Sequence, residues 1–108
     1  MTKPKNYSKL DLSNRNISGI LDLRKYRKYN NLEVLKCSNN LITKIINIPP
    51  TLKYLDCSNN LIEEITEINH ELEYFNFENN PIIKLYYPQK QELKSYPETL
   101  MELTFSND

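Results

Sequence analysis

LEVLKCSNNLITKI (Leu32 to Ile45), LKYLDCSNNLIEEI (Leu52 to Ile65) and LEYFNFENNPIIKL (Leu72 to Leu85) are three versions of one phrase. Their starts lie 52 − 32 = 20 and 72 − 52 = 20 residues apart, with no insertion between copies. Apolar residues return in matching columns: Leu32/Leu52/Leu72, Leu35/Leu55/Phe75, Cys37/Cys57/Phe77, Ile42/Ile62/Ile82 and Ile45/Ile65/Leu85. A constant period of this length is the mark of a stacked repeat, in which one unit cannot bury its apolar face alone and its neighbours complete the core.

Each column then acquires a physical task. Leu35 and Cys37, with their equivalents, alternate with polar or aromatic residues, which predicts a short strand whose apolar side chains point inward. Asn40, Asn60 and Asn80 follow the strand, where backbone groups lose their ladder partners, and a buried amide at each can satisfy them and stack as a ladder. The second half of a unit, such as ITKIINIPPT, carries the chain back with Ile48 and Ile68 turned inward. Twenty residues leave little room for a regular helix there, and the chain has no Ala, the best helix former, so extended or 3₁₀ backbone is expected.

The phrase L-x-x-L-x-L/C-x-x-N-x-I resembles the leucine-rich repeat family, from about Tyr7 to Asp108. The resemblance implies an α/β, right-handed solenoid with a short parallel sheet on a concave face and mostly irregular or 3₁₀ convex segments. It also implies one domain over residues 1–108, with four full repeats and a truncated fifth. The 20-residue spacing and the Ile-Pro-Pro link before Leu52 are similar to short-repeat bacterial effector proteins. The Asn/Ile/Lys/Tyr bias and the Cys-Ser-Asn-Asn units resemble more closely the leucine-rich repeat proteins of amoeba-infecting giant viruses, the mimivirus group, which implies a viral protein working in the host cytoplasm.

The ends depart from the pattern. The first unit, around KLDLSNRNISGI, supplies Tyr7, Leu10, Leu12 and Ile17 to the columns but places Arg15 in the Asn position, where Asn14 or Asn16 is the substitute. From Leu12 to Cys37 is 25 residues, and the added stretch has Asp22 as an N-cap for a short helix. At the other end LMELTFSND supplies Leu100, Leu103 and Phe105, with Asp108 in the Asn column. Leu100 follows Leu72 by 28 residues, and Pro88 is placed to open a helical turn in the excess. A final strand exposes an edge and its inward residues. The segment Tyr86 to Thr99, with Leu93 and Tyr96, is expected to fold over them, leaving a monomer, with a weak homodimer through the C-terminal edge as the alternative.

Candidate chemistry is sparse. A single glycine, Gly19, excludes Gly-rich phosphate-binding loops. Cys37 and Cys57 share an inward column and read as buried free thiols in a reducing compartment. His70, the one histidine, lies on the opposite side of the repeat from the cysteines, so neither a zinc site nor Cys-His catalysis is assembled, and no cofactor is expected. Asp11 and Asp56 share an outward column as solvated carboxylates. Asn6-Tyr7-Ser8 and Asn16-Ile17-Ser18 fit the glycosylation rule, but the polar opening MTKPKNYSKLD is no signal peptide and no window is long and apolar enough for a membrane span. A cytoplasmic location follows as the expectation.

The outward columns of the sheet carry the binding candidates: Lys9/Val34/Tyr54/Tyr74/Glu102, then Asp11/Lys36/Asp56/Asn76/Thr104, then Ser13/Ser38/Ser58/Glu78/Ser106. Strands about 4.8 Å apart set Val34, Tyr54 and Tyr74 side by side, flanked by Lys36, Asp56 and Asn76. That is the make-up of an aromatic binding patch with a charged rim, and cross-strand packing that merely stabilises the sheet explains it equally well. Net charge is zero but segregated: residues 1–31 hold eight Lys/Arg against Asp11 and Asp22, +6, and the remainder is −6. The run Arg24-Lys25-Tyr26-Arg27-Lys28 motivates nucleic-acid binding as the second function, behind a non-enzymatic protein-interaction module. The opposed ends would equally steer copies together head to tail.

Overall fold

In the computed structural model, residues 8–29, 31–66, 68, 72–88 and 99–106 are described. The chain forms a β-solenoid built almost wholly from parallel strands. One file, β1 (Lys9–Asp11), β3 (Val34–Lys36), β5 (Tyr54–Asp56) and β7 (Tyr74–Asn76), makes a four-stranded parallel sheet. The return segments supply a second file: β2 (Ser18–Asp22) pairs with β4 (Leu41–Ile46), and β6 (Glu64–Ile65) with β8 (Lys84–Pro88) and β9 (Glu102–Ser106). Three turns carry the chain from β1 to β7.

The expected columns are the observed register. Leu10, Leu35, Leu55 and Phe75 stand opposite one another, as do Lys9, Val34, Tyr54 and Tyr74, and Asp11, Lys36, Asp56 and Asn76. A second inward column, Ile45 beside Leu21 and Ile65 beside Leu85 and Leu103, faces it from the return strands. Between them Leu32, Leu52 and Leu72, Cys37 and Cys57, and Ile42, Ile62 and Ile82 are buried in one cluster. Each such aliphatic side chain contributes about 2 kcal/mol by leaving water, and no unit could bury them without the next.

The Asn ladder holds the strand exits. Asn60 Nδ2 donates to the carbonyls of Cys37, Cys57 and Ser58, while its Oδ1 accepts from the Ile42 N–H at 3.0 Å. Asn80 repeats the arrangement with Cys57, Phe77 and Glu78 carbonyls and the Ile62 N–H. Asn40 donates to Leu12, Cys37 and Ser38 and accepts from Arg15 and Ile17 N–H. Each amide thus sews its own exit to that of the unit before.

The preceding asparagine in each pair works through its backbone. Asn14, Asn39, Asn59 and Asn79 all have φ between 57° and 59°, the left-handed region that Asn tolerates better than most residues. The Asn-Asn dipeptide therefore combines one residue chosen for backbone and one for side chain. Asn14 and Asn16 do not substitute in the first unit: both are exposed, and the backbone around Arg15 is bonded by Asn40 instead.

Three expectations are corrected. The fold is β rather than α/β: the helix among the described residues is a 3₁₀ stretch, Leu23–Tyr29, kinked at Tyr26, with Asp22 Oδ1 accepting from the Arg24 N–H as anticipated. The return segments are extended, one of the two backbones expected of them, but as paired strands rather than the mostly irregular or 3₁₀ chain the resemblance implied, because stacked units offer their β-branched returns a ladder partner. Pro88 ends β8, and the helical turn expected after it falls outside the described residues. Glu102 and Thr104 are not in the first sheet: β9 pairs with β8, setting Glu102 beside Lys84 and Leu103 beside Leu85. The roles expected of Tyr7, His70, Leu93, Tyr96 and Asp108 fall outside the described residues.

Candidate partner-binding surface

All six candidate side chains lie on one sheet. The strand period of two turns Val34, Tyr54 and Tyr74 to one face in adjacent strands, with Lys36, Asp56 and Asn76 in the parallel column two residues on. In-register pairing on adjacent strands brings the two rings within stacking reach. Their rings stack face to face, centroids 4.2 Å apart and planes within 8°. Lys36 Nζ sits 5.8 Å from the Tyr54 ring centroid, within cation–π range. Tyr74 is 41% exposed, so the open side of the stack meets solvent. Partial burial raises the Tyr54 hydroxyl pKa, with the neighbouring Tyr74 adding to the effect.

The carboxylate and amide column has a second occupation. Asp11 Oδ1 accepts from the Ser13 N–H, Asp56 Oδ1 from the Ser58 N–H and hydroxyl, and Asn76 Oδ1 from the Glu78 N–H. These bonds to the residue two ahead shape the chain as it leaves each strand. The bond from Ser13 backbone lowers the Asp11 pKa. Lys36 takes this column's place in β3 with no carboxylate, so it alone among the four members projects an amine.

The cysteines are placed for packing. Both are fully buried and free; burial pushes the Cys37 thiol up to about 12 and Cys57 well above its ordinary value, so neither supplies a thiolate. Among the described residues no three His, Cys, Asp or Glu side chains gather to hold a metal ion, and no helix is long and apolar enough to cross a membrane.

The basic run is partly committed elsewhere. Arg24 forks onto Asp22, with Nη2 to Oδ2 at 2.7 Å, and Asp22 also accepts from Asn47 Nδ2; these bonds hold its carboxyl far below the usual range. Tyr26 and Tyr29 pack edge to face at 6.3 Å and lie half-buried against the core.

Sequence reasoning missed one exposed apolar row. Leu41 and Leu61, immediately after the ladder asparagines, are 50% and 48% exposed. The signal was present in Leu41/Leu61/Pro81, an apolar column belonging to neither inward set. Comparison of the chain with family models, curated proteins and solved structures gives no match.

Proposed function

We propose that the chain is a non-enzymatic protein-interaction module of the leucine-rich repeat type, a right-handed solenoid whose first sheet is its concave face. It engages a protein partner through Val34, Lys36, Tyr54, Asp56, Tyr74 and Asn76. The observation that carries this reading is the Tyr54–Tyr74 stack: a large, rigid, amphipathic surface on an open sheet, with a lysine amine at one side. Aromatic anchors lose little conformational freedom on binding, which is why they dominate interface energetics. The giant-virus likeness of the Cys-Ser-Asn-Asn units makes a host cytoplasmic protein the natural partner.

The test compares wild-type chain with the Tyr54→Ser/Tyr74→Ser variant as bait in amoeba lysate, with thermal unfolding of both. Proteins retained by wild type and lost from the variant, at nearly unchanged unfolding temperature, support recognition. A variant that unfolds several degrees lower while capturing the same proteins assigns the stack to sheet stability. Nucleic-acid binding through the Arg24–Lys28 run remains the second reading, supported by the +6 charge of residues 1–31. Titration of RNA and DNA at two salt concentrations tests it. Binding that weakens steeply with salt and with loss of Lys25 and Lys28 would favour it over a protein partner.

A further inference from the structure

We propose that the solenoid assembles head to tail with further copies of itself, the β9 edge of one copy pairing in parallel with the β2 edge of the next. The two strands sit at opposite ends of the return file, and both are five residues long. The file is two sheets, β2–β4 and β6–β8–β9, and the bond from Leu61 N–H to the Ile42 carbonyl, 2.9 Å, links the turn of one to the turn of the other. Among the described residues β2 pairs only with β4 and β9 only with β8, leaving the outer edge of each with unmatched backbone groups. Such edges template further pairing.

The repeat prescribes how a second copy would dock. Lys84 N–H donates to the Glu63 carbonyl and Glu102 N–H to the Ile83 carbonyl, one turn after another. Ile20 occupies the same column as Lys44 in the β2–β4 register, so the next copy's Ile20 N–H falls opposite the Met101 carbonyl. Leu103, half-buried at the end of its column, then gains a neighbour where Leu85 already has two. In that register Ile20, 61% exposed on β2, stands beside Glu102, and Met101, 84% exposed, comes one residue before it at the entry to β9.

Charge selects this orientation over its rivals. By sequence, residues 1–31 carry +6, whereas residues 72–108 carry three lysines against six carboxylates, −3. Joining unlike ends is attractive. A symmetric dimer through two β9 edges would bring two acidic ends together, and one through two β2 edges two basic ends. A contact between different surfaces of identical molecules does not close on itself unless a ring forms, so the product is an open series.

The experiment is sedimentation of the full chain over a concentration series at low and high salt, with Ile20→Glu, which sets a carboxylate against Glu102 of the neighbouring copy, and Met101→Lys, which sets a cation against its basic end. Both side chains are exposed, so each variant should unfold at the wild-type temperature. Wild-type mass rising with concentration beyond twice 12.9 kDa, less so at high salt, is expected. Each variant alone should remain monomeric, because either blocked end stops growth. Mixed in equal amounts they should form a 1:1 dimer and nothing larger, since each retains the end the other lacks. Wild type that stays monomeric throughout, a wild-type dimer sensitive only to Met101→Lys, or variants that ignore each other would overturn the proposal.

Discussion

Replacing Asn60 by Ala should be among the most damaging single changes a polar residue of this chain can suffer. Asn60 is 5% exposed and serves four backbone groups from two successive turns of chain. Its amide has two hydrogens for three carbonyls, so one of those contacts is shared, and the partners fully lost are two carbonyls and the Ile42 N–H. A buried polar group left without a partner costs about 1–3 kcal/mol. Three such groups, with some relief from water entering the space, give about 3–4 kcal/mol. That is a large part of the roughly 5–15 kcal/mol that holds a small domain together. For a chain of this size it corresponds to a fall of about 12 °C or more in unfolding temperature. Asn59 is the internal control: it is exposed, and its φ of 57° assigns it a backbone task. Asn59→Ala should cost about 1 kcal/mol and Asn59→Gly close to nothing. Urea and thermal unfolding followed by circular dichroism would rank the three. If Asn60→Ala is no worse than Asn59→Ala, the amide ladder does not hold the turns together and the reasoning fails.

Other consequences are equally direct. Neither Cys37 nor Cys57 should react with a disulfide reagent in the native chain, and both should react on unfolding; rapid native labelling would show that the core opens around them. Asp22 has a carboxyl held below its ordinary 3.8, so its stabilising effect is present above that value and lost as pH falls through the lower folded-state pKa. Wild type and Asp22→Asn should accordingly differ most near neutrality and converge in strong acid; a gap that persists there would refute the linkage. Gly19 sits at φ +78° where the β2–β4 register shifts, with nothing within 4 Å of an added Cβ. Gly19→Ala should therefore cost about 1–2 kcal/mol through backbone strain alone, measured by urea unfolding, and a neutral result would mean the loop relaxes.

The inward columns were legible because period and apolarity carry them: Leu35, Leu55 and Phe75 can share a sheet only if every unit has the same length. The second file was not legible, because pairing of a return strand depends on the turn stacked beneath it. Leu41–Ile46 is a six-residue strand only with Ser18–Asp22 alongside. The Glu102 segment was misplaced for a related reason. Alternation in Leu100, Leu103 and Phe105 fits an inward column of either file, and residue pattern alone does not separate them. Spacing would have: Glu102 follows Lys84 by 18 residues, near the repeat length, but follows Tyr74 by 28. The left-handed Asn column was equally readable, since an Asn repeated beside the ladder Asn has no second buried amide to supply.

The binding candidates were legible as a surface, but the sequence could not separate those that build the turn from those left over. The repeat itself now separates them. Asp11, Asp56 and Asn76 form the same bond to the N–H two residues ahead. Asn76 does so without a charge, so the turn needs an acceptor oxygen and not a carboxylate. Lys36 occupies the column with neither, and β3 keeps its register with β1 and β5 all the same. The fold therefore dictates the polarity of this column loosely and its charge not at all. What it leaves undetermined is the negative charge of Asp56 set directly opposite Lys36 on the neighbouring strand, beside two rings whose stacking the strand spacing permits but does not require. Those are the features in which this face differs from a sheet built only to stand, and on which recognition by a protein would rest.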